Sequence, residues 1–102
     1  MANSTEALKV LHKARQAVVL KISELNASHI KSEMRRAGLE IDLTRCREAL
    51  EQGNTAEDFN ASISSLEEEF LALEKSRDTI DSERNALNER LQEIDQQMSN
   101  LD

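Results

Sequence analysis

Apolar residues recur along almost the whole chain in alternating steps of three and four. This spacing places them on one face of a helix and is typical of a coiled-coil seam. The series runs in two halves of similar length, from Leu8 to Leu50 and from Phe59 to Leu101, on either side of Gly53. The sequence therefore predicts an all-α fold, a long antiparallel two-helix coiled-coil hairpin.

The seam of this hairpin has a predicted register and a polar middle. Facing residues in the antiparallel pair should have numbers that sum to 109. Arg77 and Arg84 are the two polar interruptions in the second half, and the first half turns polar at His29, Ser32 and Arg36. Because Asn and Gly residues also interrupt good helix formers between residues 26 and 38, a kink or break of the first helix there is an open alternative.

Composition and charge support the pairing of the two halves. The 102 residues include no proline, only two glycines and only two aromatic residues, so helix is favoured almost everywhere. Residues 1–52 carry nine Lys or Arg against seven acids, and residues 53–102 carry four against thirteen. A mildly basic helix next to an acidic one relieves the repulsion that two acidic helices would have. Direct binding of nucleic acid is not expected, because the chain is acidic and lacks stacking residues.

Capping residues mark the ends of the predicted helices. Asn3 and Glu6 have the spacing of a capping box, so helix 1 should start near residue 4 or 5. Gly53 can close helix 1 in a left-handed conformation, and Asn54 and Thr55 can cap helix 2. We expect a single helical hairpin domain over residues 1–102, with helix 1 at about 4–52, the turn at about 53–55 and helix 2 at about 55–100.

A second apolar stripe lies on helix 1, opposite the seam. It is called the back stripe here and consists of Ala27, Ile30, Met34, Ala37 and Ile41. Either a stutter rotates this stripe toward helix 2, or helix 1 is apolar on two sides and its back meets another chain. The second alternative predicts a homodimer that forms a four-helix arrangement around the stripe.

The two seam arginines allow three interpretations. Arg77 and Arg84 can specify register, as buried polar residues do in coiled coils, or they can dock an acidic segment of a partner. In the third interpretation their stems lie on the seam and their guanidinium groups reach Asp81, Glu74 or Glu33 at its edge.

The sequence contains few residues that could form a catalytic or metal-binding site. His12, His29 and Cys46 are not at helical spacings that aim two ligands at one metal, so no metal or cofactor is expected. No nucleophile–base pattern or phosphate-binding loop is present, and we expect a protein that is not an enzyme. A single cysteine and the lack of a signal peptide or 18-residue apolar stretch predict a cytoplasmic location without membrane contact.

Three function classes remain, and all of them bind through helices. The first is a non-catalytic adaptor or inhibitor that self-associates and presents helix faces to an unidentified partner protein. The second is a small chaperone or assembly factor, of secretion or phage type, that masks an apolar helix of a client. The third is a structural coiled-coil subunit of a larger assembly. The candidate protein-binding residues are the back stripe, the seam arginines Arg77 and Arg84, and Glu67 and Glu68 on the acidic flank of helix 2.

Overall fold

Two long helices make up the fold. A computed structural model describes residues 2–53 and 59–101, with the side chains from residue 4 onward. Helix α1 spans Ala2–Glu51 and helix α2 spans Phe59–Asn100. The two helices pack against each other, which confirms the predicted all-α helical hairpin.

Helix α1 runs without interruption through its polar middle. It is helical from Ala2 to Glu51, so the alternative of a break between residues 26 and 38 is wrong. Gly38 lies inside the helix, where one glycine costs only about 1 kcal/mol relative to alanine. The surrounding good helix formers outweigh that cost. Helix α1 also begins two to three residues before the predicted start, which is the usual uncertainty of helix ends.

The end of α1 follows the predicted glycine cap. Gly53 has a φ of 74°, the left-handed conformation that glycine adopts without steric cost. The amide of Gln52 donates to the carbonyl of Glu48 at 3.0 Å, and the amide of Gly53 donates to that of Leu50 at 3.0 Å. These bonds satisfy carbonyl groups in the last turn of the helix. The other predicted capping side chains lie outside the described residues: Asn3, Asn54 and Thr55.

The chain divides into two compact units, each with a small apolar core. The terminal unit combines residues 1–28 and 80–102, and the central unit contains residues 29–79. In the terminal unit the buried apolar residues are Leu25, Ile80 and Ile94, and in the central unit they are Leu39 and Leu43. Leu39 and Ile94 are completely buried. Each unit therefore depends on very few fully enclosed side chains.

The predicted seam is the face that the helices bury. Among its described positions in both helices, all except Arg15 are buried or partly buried. His29, Ser32 and Arg36 are partly buried as well, so the seam continues through its polar middle. The burial pattern thus follows the three-and-four spacing through apolar and polar positions alike.

Cross-helix polar contacts report the register within each unit. In the terminal unit, Arg15 Nε donates to Asp95 Oδ1 at 2.9 Å. In the central unit, Arg36 Nη2 donates to Glu74 Oε1 at 3.2 Å. Both pairs have residue numbers that sum to 110, one more than the constant predicted for the seam. The offset is expected because these arginines reach across the edge of the seam to a residue next to the facing position.

Candidate protein-interaction surface

The back stripe lies on the solvent side of α1. Ile30, Met34, Ala37 and Ile41 belong to the central unit, and Ala27 belongs to the terminal unit. All five are exposed, and the accessible fractions of Ile30, Met34 and Ile41 are 59%, 71% and 54%. The alternative in which a stutter turns this stripe toward α2 is therefore wrong. Helix α1 is apolar on two opposite sides.

Arg36 explains how the seam keeps its register without a stutter. Its guanidinium carbon lies 4.9 Å from the centroid of the Phe70 ring, which is a cation–π distance. The same group contacts Glu74 at 3.2 Å and Glu33 at 3.9 Å. A partly buried arginine is stabilised when its charge is paired and its plane rests on an aromatic face. These contacts hold the charged end of Arg36 at the seam, although its Nε atom is buried without a hydrogen-bond partner among the described atoms.

The edges of the central unit are joined by arginines of α1 and glutamates of α2. Arg35 donates two hydrogen bonds to Glu69, Nε to Oε1 at 2.7 Å and Nη2 to Oε2 at 2.9 Å. Arg47 Nη2 donates to Glu67 Oε1 at 2.9 Å. All four side chains are about half exposed, so solvent weakens these pairs. The bidentate geometry of the Arg35–Glu69 pair is the more specific of the two.

The contact between Arg35 and Glu69 shifts the pKa values of both side chains. The hydrogen bond and charge of Arg35 hold the pKa of the Glu69 carboxyl below its ordinary value of 4.5. Glu69 in turn raises the pKa of the Arg35 guanidinium above its ordinary value, with a smaller contribution from the charge of Asp42. The pair is thus fully charged at neutral pH.

The acidic flank of α2 is partly neutralised by these pairs. Glu67 is bound to Arg47, and Glu69 to Arg35. Glu68 is exposed and has no ion pair with the described residues. Of the two glutamates predicted as binding residues, only Glu68 therefore offers an uncompensated charge to a partner.

A shallow groove lies between the helices of the central unit. Its lining combines the apolar side chains of Leu43, Phe70 and Leu71 with four polar residues, Glu40, Thr44, Arg47 and Glu67. Leu71 is mostly exposed although it belongs to the groove. The three-and-four spacing does not predict this groove, because Leu71 lies one residue beyond the seam position Phe70.

The seam arginines have their partners inside the chain. In the terminal unit, Arg84 Nη2 donates to Asp81 Oδ1 at 2.7 Å, and its Nη1 donates to Asn26 Oδ1 at 3.0 Å. In the central unit, Arg77 Nε lies 3.5 Å from Glu33 Oε1. The predicted contacts of these arginines with seam-edge carboxylates are confirmed for Asp81 and Glu33. The third carboxylate considered, Glu74, is bound by Arg36 instead.

The histidines and the cysteine do not come together as ligands. Residues 2–53 and 59–101 contain no group of three or more His, Cys, Asp or Glu side chains that could hold a metal ion. Cys46 is a free, partly buried thiol. The Nδ1 atom of His29 is buried and has no hydrogen-bond partner among the described atoms. His29 thus occupies its seam position at an energetic cost.

Comparisons with known proteins leave the chain without an assigned family. No protein-family model matches the sequence, and no curated protein or solved structure shows significant similarity to it. Over their described residues, neither α1 nor α2 contains a segment long and apolar enough to cross a membrane. The class of molecule established here is an all-α helical hairpin whose first helix carries exposed apolar residues opposite its packed face.

Proposed function

We propose that this protein is a non-catalytic, self-associating adaptor or inhibitor that presents helix faces to a partner protein. The observation that carries the proposal is the exposure of Ile30, Met34 and Ile41 on one face of α1. Apolar side chains clustered on one exposed face commonly mark interaction sites, whereas single exposed ones need no explanation. Their three-and-four spacing is the pattern by which one helix packs on another.

The small cores give a second reason for association. Only five apolar residues are buried in the described chain, and two helices alone bury a narrow seam. Chains of this size usually gain stability by associating. In the proposed homodimer, the back stripes of two copies meet and the four helices form one assembly.

The test is the oligomeric state of the chain and of one stripe variant. Sedimentation equilibrium over a wide concentration range should show a dimer of the natural chain. The double substitution Ile30→Glu and Met34→Glu should yield a helical monomer, because dimerisation would bury four carboxylates at the interface. A matched control is Val10→Glu with Leu71→Glu, which changes residues of similar exposure, 66% and 60%, away from the stripe. The control should remain dimeric, and a dimeric stripe variant would refute the proposal.

The acidic flank of α2 is the proposed surface for the partner protein. With the back stripe used for self-association, Glu68 remains the uncompensated acid beside the neutralised Glu67 and Glu69. A basic partner bound there should be released by raising the salt concentration, since exposed charges are screened within about 10 Å at 0.1 M. Glu68→Lys should abolish capture of that partner while the chain stays dimeric. Capture that survives molar salt would contradict this part of the proposal.

A chaperone function is the second candidate, and the exposure of Met34 favours it. Methionine is flexible and polarisable, and it suits surfaces that adapt to varied apolar segments. In this alternative the back stripe of a monomer covers an apolar helix of a client. A stable helical monomer at all concentrations would favour the chaperone over the self-associating adaptor.

A further inference from the structure

The residues that flank the back stripe in the central unit have a charge pattern that specifies how two copies meet. We propose that α1 of one copy packs parallel and in register against α1 of a second copy, with Glu40 of each forming an ion pair with Arg45 of the other. This inference rests on the self-association proposed above. It adds the orientation and the specificity residues of the interface.

The stripe defines the positions on its flanks. Its central members follow the coiled-coil repeat, with Ile30 and Ala37 at d and Met34 and Ile41 at a. The positions next to such a seam are e and g, whose charges set the partner and the orientation of the helices. The flanking residues beside the stripe in the central unit are Glu33 and Glu40 at g, and Lys31, Gly38 and Arg45 at e.

Glu40 and Arg45 are available for contacts with another chain. Both are exposed, and neither has an ion pair or side-chain hydrogen bond with the described residues; the carbonyl oxygen of Glu40 accepts a bond from Thr44. Some charged residues of α1 in this unit are already paired: Arg35 and Arg47 bind glutamates of α2, and Glu33 binds Arg77. The hairpin thus neutralises the charges at its own edge and leaves Glu40 and Arg45 unpaired beside the stripe.

A parallel arrangement pairs these charges favourably. In a parallel coiled coil, the g residue of one helix lies next to the e residue that follows five positions later on the other. Glu40 then meets Arg45 of the second copy, and the symmetry of the dimer forms this pair twice. Glu33 meets Gly38, which contributes neither attraction nor repulsion. No like charges meet at either position.

An antiparallel arrangement centred on the stripe brings like charges together. There Ile30 meets Ile41, and g residues lie next to g residues. Glu33 of each copy would face Glu40 of the other, so Glu40 would lie next to a second acid, whereas Arg45 would face Glu24 of the other copy. Because Glu33 already binds Arg36 and Arg77 of its own chain, the two orientations differ chiefly in whether Glu40 meets Arg45 or an acid. Helix α2 packs on the opposite side of α1, against Leu39 and Leu43, and does not cover the stripe in either orientation.

Charge exchange tests the orientation directly. Glu40→Lys places a lysine next to Arg45 in a parallel homodimer, and Arg45→Glu places a glutamate next to Glu40. Each variant alone should dimerise more weakly than the natural chain. A mixture of the two should form heterodimers in which both pairs are attractive, with a preference of about tenfold or more over the homodimers. Native mass spectrometry of the mixture measures this preference.

A matched pair of variants controls for net charge. Asp42→Lys and Lys21→Glu make the same charge changes at exposed positions three repeats apart, away from the e and g flanks of the stripe. Their mixture should show the statistical ratio of homodimers to heterodimers. A similar preference in both mixtures would show that net charge, and not the pair of Glu40 and Arg45, drives the exchange, and would overturn the inference.

A cross-link provides a second readout. Thr44 follows Ala37 by seven residues and therefore occupies the next d position. In a Cys46→Ala background, Thr44→Cys should form a disulfide between copies on mild oxidation, because an in-register parallel pair places the two thiols face to face. In the antiparallel dimer, residue 44 meets residue 27, and the two thiols lie about 25 Å apart at 1.5 Å per residue. Circular dichroism confirms that the variant retains its helices.

The outcomes separate this inference from the function on which it rests. A heterodimer preference with the cross-link supports the parallel interface. A natural chain that dimerises without either result refutes the parallel orientation and leaves self-association intact. A chain that remains monomeric at every concentration refutes both.

Discussion

Truncation of Leu39 tests whether the seam is the stabilising face of α1. Leu39 is completely buried in the central unit, and Leu71 in the same unit is 60% exposed. The same substitution, leucine to alanine, at these two positions changes the same atoms in opposite environments. The comparison isolates burial from the identity of the side chain and from helix propensity.

The expected magnitudes differ clearly. Leu39→Ala should lower the free energy of unfolding by about 2–3 kcal/mol, toward the lower end of the measured range for buried leucine, because a two-helix seam can collapse around the cavity. Leu71→Ala removes a side chain with about two fifths of its surface buried, so its cost should be about 1 kcal/mol or less. The better helix propensity of alanine reduces that cost further.

Urea unfolding followed by circular dichroism at one protein concentration measures both variants against the natural chain. The m-values should be unchanged, so that the midpoints report stability alone. A loss at Leu39 no larger than the loss at Leu71 would refute the assignment of the seam. It would mean that the packed face of α1 is not the one that contains Leu39.

Three further predictions concern the environments of single residues. Gly53→Ala should lower the free energy of unfolding by about 1 kcal/mol because φ is 74° there. Gly38→Ala should raise the free energy of unfolding by about 0.5–1 kcal/mol, since an added Cβ meets nothing within 4 Å. Changes of the same sign in both variants would contradict these backbone assignments. His29→Leu should raise the melting temperature, with a gain of about 1 kcal/mol, because it removes the buried Nδ1 atom that has no partner; a lower melting temperature would show that the imidazole is satisfied. Arg35→Gln should return the pKa of Glu69 toward 4.5, as measured by carboxyl NMR titration. That pKa is depressed in the folded chain. Relative to the natural chain, Arg35→Gln should therefore be less stable by its full amount above about pH 4.5, and this difference should vanish as the pH falls through the folded pKa. A difference that does not depend on pH would contradict the pairing.

The seam could be predicted from the sequence because burial follows its spacing directly. Partly buried positions such as Leu11, Leu66 and Leu91 recur at steps that only one face of a helix satisfies. The left-handed glycine at the end of α1 was predictable for a similar reason, since Gly53 interrupts the series at its midpoint. Matching the two series predicted the register, and two cross-helix contacts, Arg15 with Asp95 and Arg36 with Glu74, lie one residue from the predicted sum.

Periodicity could not predict which face of α1 packs against α2 in the polar middle of the seam. Two stripes of equal spacing compete there, and spacing alone does not say which one faces α2. The answer depends on how the cation of Arg36 is accommodated, through the Phe70 ring and the carboxylate of Glu74. These contacts involve residues more than thirty positions away in sequence. They become visible only when the register is known in detail at the level of side chains.

The division of charge on α1 connects its folding to its proposed binding. Arginines at the edge of the seam are neutralised by glutamates of α2, so they stabilise the hairpin and add little net charge to its surface. Glu40 and Arg45 lie beside the exposed stripe and have no such partner within the described chain. A charge that served only solubility could be of either sign at both positions. Opposite signs five residues apart, on opposite flanks of one apolar stripe, are what a parallel pair of identical helices requires, and this pattern is the physical link between the sequence and the proposed dimer.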